Sequence, residues 1–227
     1  MTTQGDGSGI TSALAAISDD AALNYLNQYF GQGEWTGQEF TGAHFDSFGN
    51  TETDKVTAGD IVAVACLSIH VPARAAIAVL GEQRNPISCH LHGISKDDAI
   101  EDIPFDEHDQ HFGEDSPADR LWQLLRAHHR VGATTASKIM ARKRPALIPI
   151  FDSVVGNMTG FPDAAGTWRA WHHAFSTDVA FTSRLRSLRA AARLDHLSLL
   201  RVLDVVLWMH GTHGVGEPER VDGAEEV

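Results

Sequence analysis

Residues 121–155 read LWQLLRAHHRVGATTASKIMARKRPALIPIFDSVV. Leu121, Trp122, Leu124 and Leu125 recur at helical spacing, and Ser116-Pro117 ahead of them supplies a cap and a proline for the first helical position. Gly132 then punctuates the chain before a second helical run, so residues 118–142 are expected to form a helix–hairpin–helix. Beyond it, Pro145 and Pro149 favour an extended linker that delivers Asp152 to the start of another helix. A tight turn between two helices presents backbone N–H groups beside a helix N-terminus, which suits a phosphate oxygen. Gly132 tolerates a positive φ and the close approach of a second backbone. Thr134, Thr135 and Ser137 add hydroxyls, and Lys138 and Arg142 stand one turn apart on the second helix.

Helix punctuation governs the rest of the chain as well. Ser18 caps an expected helix that runs to about Phe30 and stops at Gly31. Thr57 with Asp60 resembles a capping box, opening an apolar helix that is broken or restarted at Pro72 and stopped at Gly81. Asp195 is the expected cap of a final helix, His196 to His210, closed by Gly211. That helix is apolar almost all round, the pattern of a central element. No alternating strand pattern stands out, although 146–151 reads as extended and the aromatic, Gly-rich segment 31–56 as a hairpin or a long loop. The expectation is an all-α fold with one helical domain over 10–213, between flexible tails at 1–9 and 214–227.

Composition narrows the functional classes. Only Cys66 and Cys89 occur, which excludes a disulfide scaffold and any four-cysteine metal cluster. The longest apolar run, Ile61 to Leu67, is too short to span a bilayer, and no basic-then-apolar stretch marks a secretion signal. No membrane partner is expected, and a reducing cytoplasm is the expected compartment. The net charge of −12 conceals segregation: residues 97–119 carry ten acids and no Lys or Arg, whereas 126–144 carry six basic residues and no acid. That basic cluster suits either phosphate contacts or a solvated helix face.

The run from Arg130 through Val131, Gly132, Ala133, Thr134, Thr135 and Ala136 to Ser137 resembles the hairpin and second helix of the helix–hairpin–helix DNA glycosylase superfamily, endonuclease III-like members in particular. The match is confined to residues 121–155, and Asp152 falls where those members keep their catalytic aspartate. The resemblance implies a helical DNA-glycosylase-like fold with a central helix–hairpin–helix, DNA as partner and no cofactor. It implies Asp152 as catalytic carboxylate and Arg130, Gly132, Thr134, Thr135, Lys138 and Arg142 as DNA contacts. His128, His129 and Arg130 stand where the family has leucine, proline and its first glycine. Thr134 replaces the lysine that bifunctional members use for a Schiff base, so a monofunctional, water-using hydrolase is implied. The stretches TAGDIVAVACLSIHVPARAA and HLSLLRVLDVVLWM are similar to an uncharacterised actinobacterial family.

A carboxylate at 152 suits glycosidic chemistry: it stabilises the sugar cation that forms as the bond breaks, and it orients or deprotonates water. Asp is also a favoured helix cap, and the two roles are compatible. Trp35, Phe45 and Asp46 are candidates for stacking on and hydrogen-bonding a base. Asp204, inside the apolar last helix, has Arg201 as its expected partner three residues earlier. The Cys89-x-x-His92, His108-x-x-His111 and His210-x-x-His213 spacings complete no four-ligand set, so no metal is expected. Two alternatives stay open: a non-catalytic module that binds nucleic acid or protein, and a hydrolase acting on a small nucleoside or nucleotide.

Overall fold

The computed structural model describes residues 7–49, 52–164 and 166–214. Their regular structure is all-helical, with no strand among the described residues. No helix there is long and apolar enough to cross a membrane.

Local capping chemistry sets most boundaries. α1 (Ser8–Ala15) precedes α2 (Asp19–Tyr29), whose cap Ser18 accepts from the Ala21 N–H. α3 (Ala58–Ala65) opens with the reciprocal Thr57–Asp60 capping box, and α4 (Ala73–Leu80) starts after Pro72 and ends at Gly81. α5 (Arg84–His92) and α6 (His108–Phe112) lead to α7 (Pro117–Arg126), where Ser116 caps and Pro117 takes the first position. α8 (Ala133–Lys143) and α9 (Ser153–Thr159) follow, the latter capped by Asp152. α10 (Thr167–Thr177), α11 (Val179–Ala191) and α12 (Leu199–His213) complete the domain.

Two helices are central. Every residue of α12 from Leu199 to Leu207 is buried, and the helix packs against α1, α2, α9 and α11. Each such Leu or Val contributes about 1.5–3 kcal/mol through removal of apolar surface from water. α8 is buried from Thr135 to Lys143 and packs against α3 and α7. α7 and α8 form the expected helix–hairpin–helix.

Several local expectations are corrected. Ser198, not Asp195, caps the last helix by accepting from the Arg201 N–H at 3.1 Å, because residues 194–197 close a turn of their own. Gly211 lies inside that helix; a Cβ there would stand 2.5 Å from Val154 Cγ1, so glycine lets α12 run close beside α9. Ser8 and Gly9 belong to α1 rather than to a flexible tail; residues 1–6 and 215–227 lie outside the described residues. The segment 31–56 holds 3-10 turns at Gly33–Trp35 and Thr41–His44 rather than a hairpin, residues 50–51 lying outside the described set. Residues 145–147 turn before the chain extends into Asp152, so 146–151 is extended only in its second half.

At the hairpin the positive φ falls on Arg130, at 66°, and Gly132 is extended at φ −88°. The strain is taken by a non-glycine residue because the Val131 N–H must reach the His128 carbonyl at 3.1 Å while the Val131 side chain stays buried. His128, just before the turn, bonds Gln83 Oε1 through Nε2 at 2.6 Å.

Candidate functional site

The basic cluster of 126–144 divides into two sets. Arg126, His129 and Arg130 are exposed. Lys138, Arg142, Lys143 and Arg144 are buried and fully engaged inside the protein. Arg142 donates Nε to Asp60 Oδ1 at 3.1 Å and its Nη1 to the carbonyls of Phe45 and Asp46 at 2.8 and 2.6 Å. Lys143 Nζ reaches Asp60 Oδ2 at 2.8 Å, and burial pulls its pKa down against the opposing pull of Asp60. Arg144 pairs with Asp54 and donates to the carbonyls of Ile94, Leu91 and Thr53. These side chains staple the 45–60 segment to α8 because an unpaired buried charge is costly.

Arg142 and Thr135, expected as DNA contacts, are thus interior. Ser137 is interior too: its Oγ accepts from the Phe151 N–H at 3.0 Å and so anchors the chain immediately before Asp152. Of the expected DNA contacts, Arg130 and Gly132 are exposed and Thr134 is half-buried.

Lys138 turns the other way, into a cavity of about 180 Å³. Its Nζ donates to the Leu67 carbonyl at 3.2 Å and to Asp152 Oδ2 at 3.4 Å. The other Asp152 oxygen accepts from the Val154 N–H at 2.9 Å, so the residue caps α9 and faces the cavity at once. Tyr29, Phe40 and Trp208 form the aromatic wall, with Tyr29 and Phe40 stacked at 5.5 Å and 5° between planes. Trp208 meets both edge-on. The linker after α3 closes another side through Cys66 to Ile69, where Ser68 turns the chain at φ 56°.

Arg201 and Asp204 of α12 form the floor. Arg201 donates Nη1 to Asp204 Oδ2 at 2.6 Å, Nε to Asp46 Oδ2 at 2.9 Å, and Nη2 to Tyr29 Oη and the Gly42 carbonyl at 3.0 and 2.9 Å. Burial opposes its charge, but Tyr29, Asp46 and Asp204 outweigh that and hold its pKa well above the ordinary value. Burial pushes Asp204 up; Arg201 and Lys138 pull it down, and the Asp152 charge pushes it further up. Burial also raises Tyr29, against the pull of Arg201. The expected Arg201–Asp204 pair therefore exists, and it is also part of the cavity.

The expected base pocket of Trp35, Phe45 and Asp46 is not assembled. Phe45 is buried in the core beneath the Arg201 guanidinium, which lies 5.3 Å from its ring centroid. Asp46 is bound to Arg201, and Trp35 sits outside the cavity lining. Sequence reasoning missed Tyr29, Phe40 and Trp208. The aromatic richness of 31–56 was a signal for Phe40; nothing local marked the other two, because α2 and α12 meet only in the fold.

The cavity residues, Tyr29 through Trp208, all fall within residues 22–211, which match one family model. The chain belongs to DUF6308, a family of unknown function. No curated protein and no solved structure matches it. The DUF6308 match runs from within α2 to within α12 and takes in every side chain described at the cavity.

Proposed function

We propose that this protein hydrolyses the N-glycosidic bond of a small nucleoside or nucleotide, with Asp152 as the catalytic carboxylate. The observation that carries this is Asp152 itself, ion-paired to buried Lys138 at 3.4 Å and facing a cavity of about 180 Å³ with an aromatic wall. An aromatic wall holds a flat base by stacking, and the cavity is too small for more than a base or a sugar ring at its floor. As the C1′–N bond breaks, its electron pair leaves with the base and positive charge grows on the sugar. A carboxylate held by a cation and a backbone N–H is preorganised to face that charge. Water then adds to C1′ and loses its proton to a carboxylate. The inward turn of Lys138, Arg142, Lys143 and Arg144 removes most of the positive surface that a duplex would need.

A second reading keeps the chemistry and changes the substrate to a base extruded from DNA. It is supported by the exposed hairpin tip, where Arg126, His129, Arg130 and Gly132 present charge and backbone. One panel separates the two. Nucleosides, nucleotides, and single- and double-stranded oligonucleotides carrying uracil, hypoxanthine or alkylated purines are incubated with the protein, and free base is measured by mass spectrometry. Release from the small substrates is expected, with a loss of at least about 100-fold in Asp152→Asn, equivalent to about 2.7 kcal/mol of transition-state stabilisation. Release from oligonucleotides alone would replace the first reading with the second. No release, or equal release by Asp152→Asn, overturns both.

A further inference from the structure

The cavity holds two carboxylates, and their surroundings differ. Asp152 has both oxygens engaged, one by Lys138 Nζ and one by the Val154 N–H. Asp204 has Oδ2 bound to Arg201 and Oδ1 without a partner among the described residues, and it lines the same cavity. Charge around the floor is unbalanced. Among the side chains that meet at the floor, Lys138 and Arg201 supply two positive charges against the three negative charges of Asp46, Asp152 and Asp204. The next cation, Arg142, reaches only the backbone carbonyl of Asp46 and is ion-paired to Asp60. Tyr29, which donates no charge to the floor, is kept neutral by burial. An uncompensated negative charge in a low-dielectric site is relieved most cheaply by a proton on the least hydrated group. That group is Asp204, whose side chain is 10% exposed against 15% for Asp46 and 17% for Asp152.

Resting on the hydrolytic reading above, we infer that Asp204 is the proton donor to the departing base while Asp152 remains the carboxylate that faces the sugar. In this step the proton passes from Asp204 Oδ1 to a ring nitrogen of the base as the C1′–N electron pair arrives there. The base leaves neutral and Asp204 becomes ionised. Water attacks C1′, and its proton returns to Asp204, restoring the starting state. Two carboxylates in unlike environments divide acid and electrostatic work in this way. The substrate class follows: nucleosides whose base is a poor leaving group unless protonated. Burial and the Asp152 charge, which both raise the Asp204 pKa, act in the required direction.

The test compares leaving groups. A purine nucleoside needs the proton; 4-nitrophenyl riboside departs without one. Asp204→Asn is expected to lose at least about 100-fold in kcat on the nucleoside and under tenfold on the nitrophenyl riboside. Asp152→Asn is expected to lose activity on both. Equal losses of Asp204→Asn on the two substrates, or none on either, overturn the assignment while leaving the hydrolytic reading intact. Inactivity of the wild type on both substrates instead removes the hydrolytic reading, and this assignment with it. Carboxyl NMR titration of the wild type gives a second, activity-free measurement: Asp204 is expected to titrate above the ordinary aspartate range, and an ordinary or lower value overturns the proposal.

Discussion

Two buried charge networks flank α8, and they differ in what they leave open. Around Asp60, Arg142 and Lys143 every polar contact is internal, and the Asp60 side chain is 1% exposed. Around Asp152 and Asp204, Lys138 and Arg201 satisfy most valences, but the network borders a cavity and one Asp204 oxygen has no protein partner among the described residues. A closed network holds structure together; an open one of the same composition can bind and react. Burial and pairing alone do not distinguish them. The free valence beside empty space does.

The contrast is broken most severely at Asp60. Asp60→Asn removes the counter-charge of Arg142 and Lys143 within the core and should cost on the order of 3–5 kcal/mol in denaturant unfolding. Asp152→Asn should cost only about 1 kcal/mol, since Asn caps a helix as well as Asp and Lys138 keeps the Leu67 carbonyl and the nearby Asp204 charge. Equal losses at the two sites would erase the distinction between closed and open networks.

A third buried polar contact extends the comparison to a pair without a fixed charge. His108 and His172 meet Nδ1 to Nδ1 at 3.0 Å, and His172 Nε2 faces the Ile103 carbonyl at 2.9 Å. Nε2 must therefore donate, leaving His172 Nδ1 to accept from His108. Burial, and next the neighbouring His172, lower the His108 pKa from 6.5 to about 4. The folded pKa is depressed, so the unfolded chain binds the proton first as pH falls. The contribution to stability is whole above pH 6.5 and is lost progressively down to about pH 4. Wild type should lose on the order of 2–3 kcal/mol more than His108→Leu across that window in chemical denaturation.

The smallest effect is expected at an exposed cation. Arg130→Gly removes the left-handed backbone strain at φ 66° without disturbing any buried pair. It should stabilise by about 0.5–1 kcal/mol, roughly 2 °C in Tm. If the strained turn serves the DNA reading, the same variant changes oligonucleotide binding while leaving release of base from small substrates unaltered.

Features decided within a few residues were legible in the sequence. Ser18, Thr57 with Asp60, and Ser116-Pro117 place helix starts through contacts three residues long. The all-α class, the central last helix, the hairpin and the Arg201–Asp204 pair follow from the same short-range chemistry. Asp152 is singled out as a candidate by the resemblance of residues 121–155 to the glycosylase hairpin. Asp195 and Gly211 misled because a cap residue type marks only a possible boundary: a turn at 194–197 moved the start to Ser198, and close packing against α9 used the glycine inside the helix.

Only the tertiary structure decided where the long cationic side chains point. Arg142, Lys143 and Arg144 read as a surface patch because their partners Asp54 and Asp60 lie more than 70 residues away in the chain, and Lys138 joined them because nothing local shows it turning in toward Asp152. A helix buried on all sides by α3, α7 and the 45–60 segment has no solvated face to offer them. The cavity is likewise assembled from α2, the segment 40–42, the loop after α3, α8, the residues leading into α9, and α12. Local propensity specifies elements through neighbours in sequence, whereas a site depends on neighbours in space, and charges find their partners only after the core has formed.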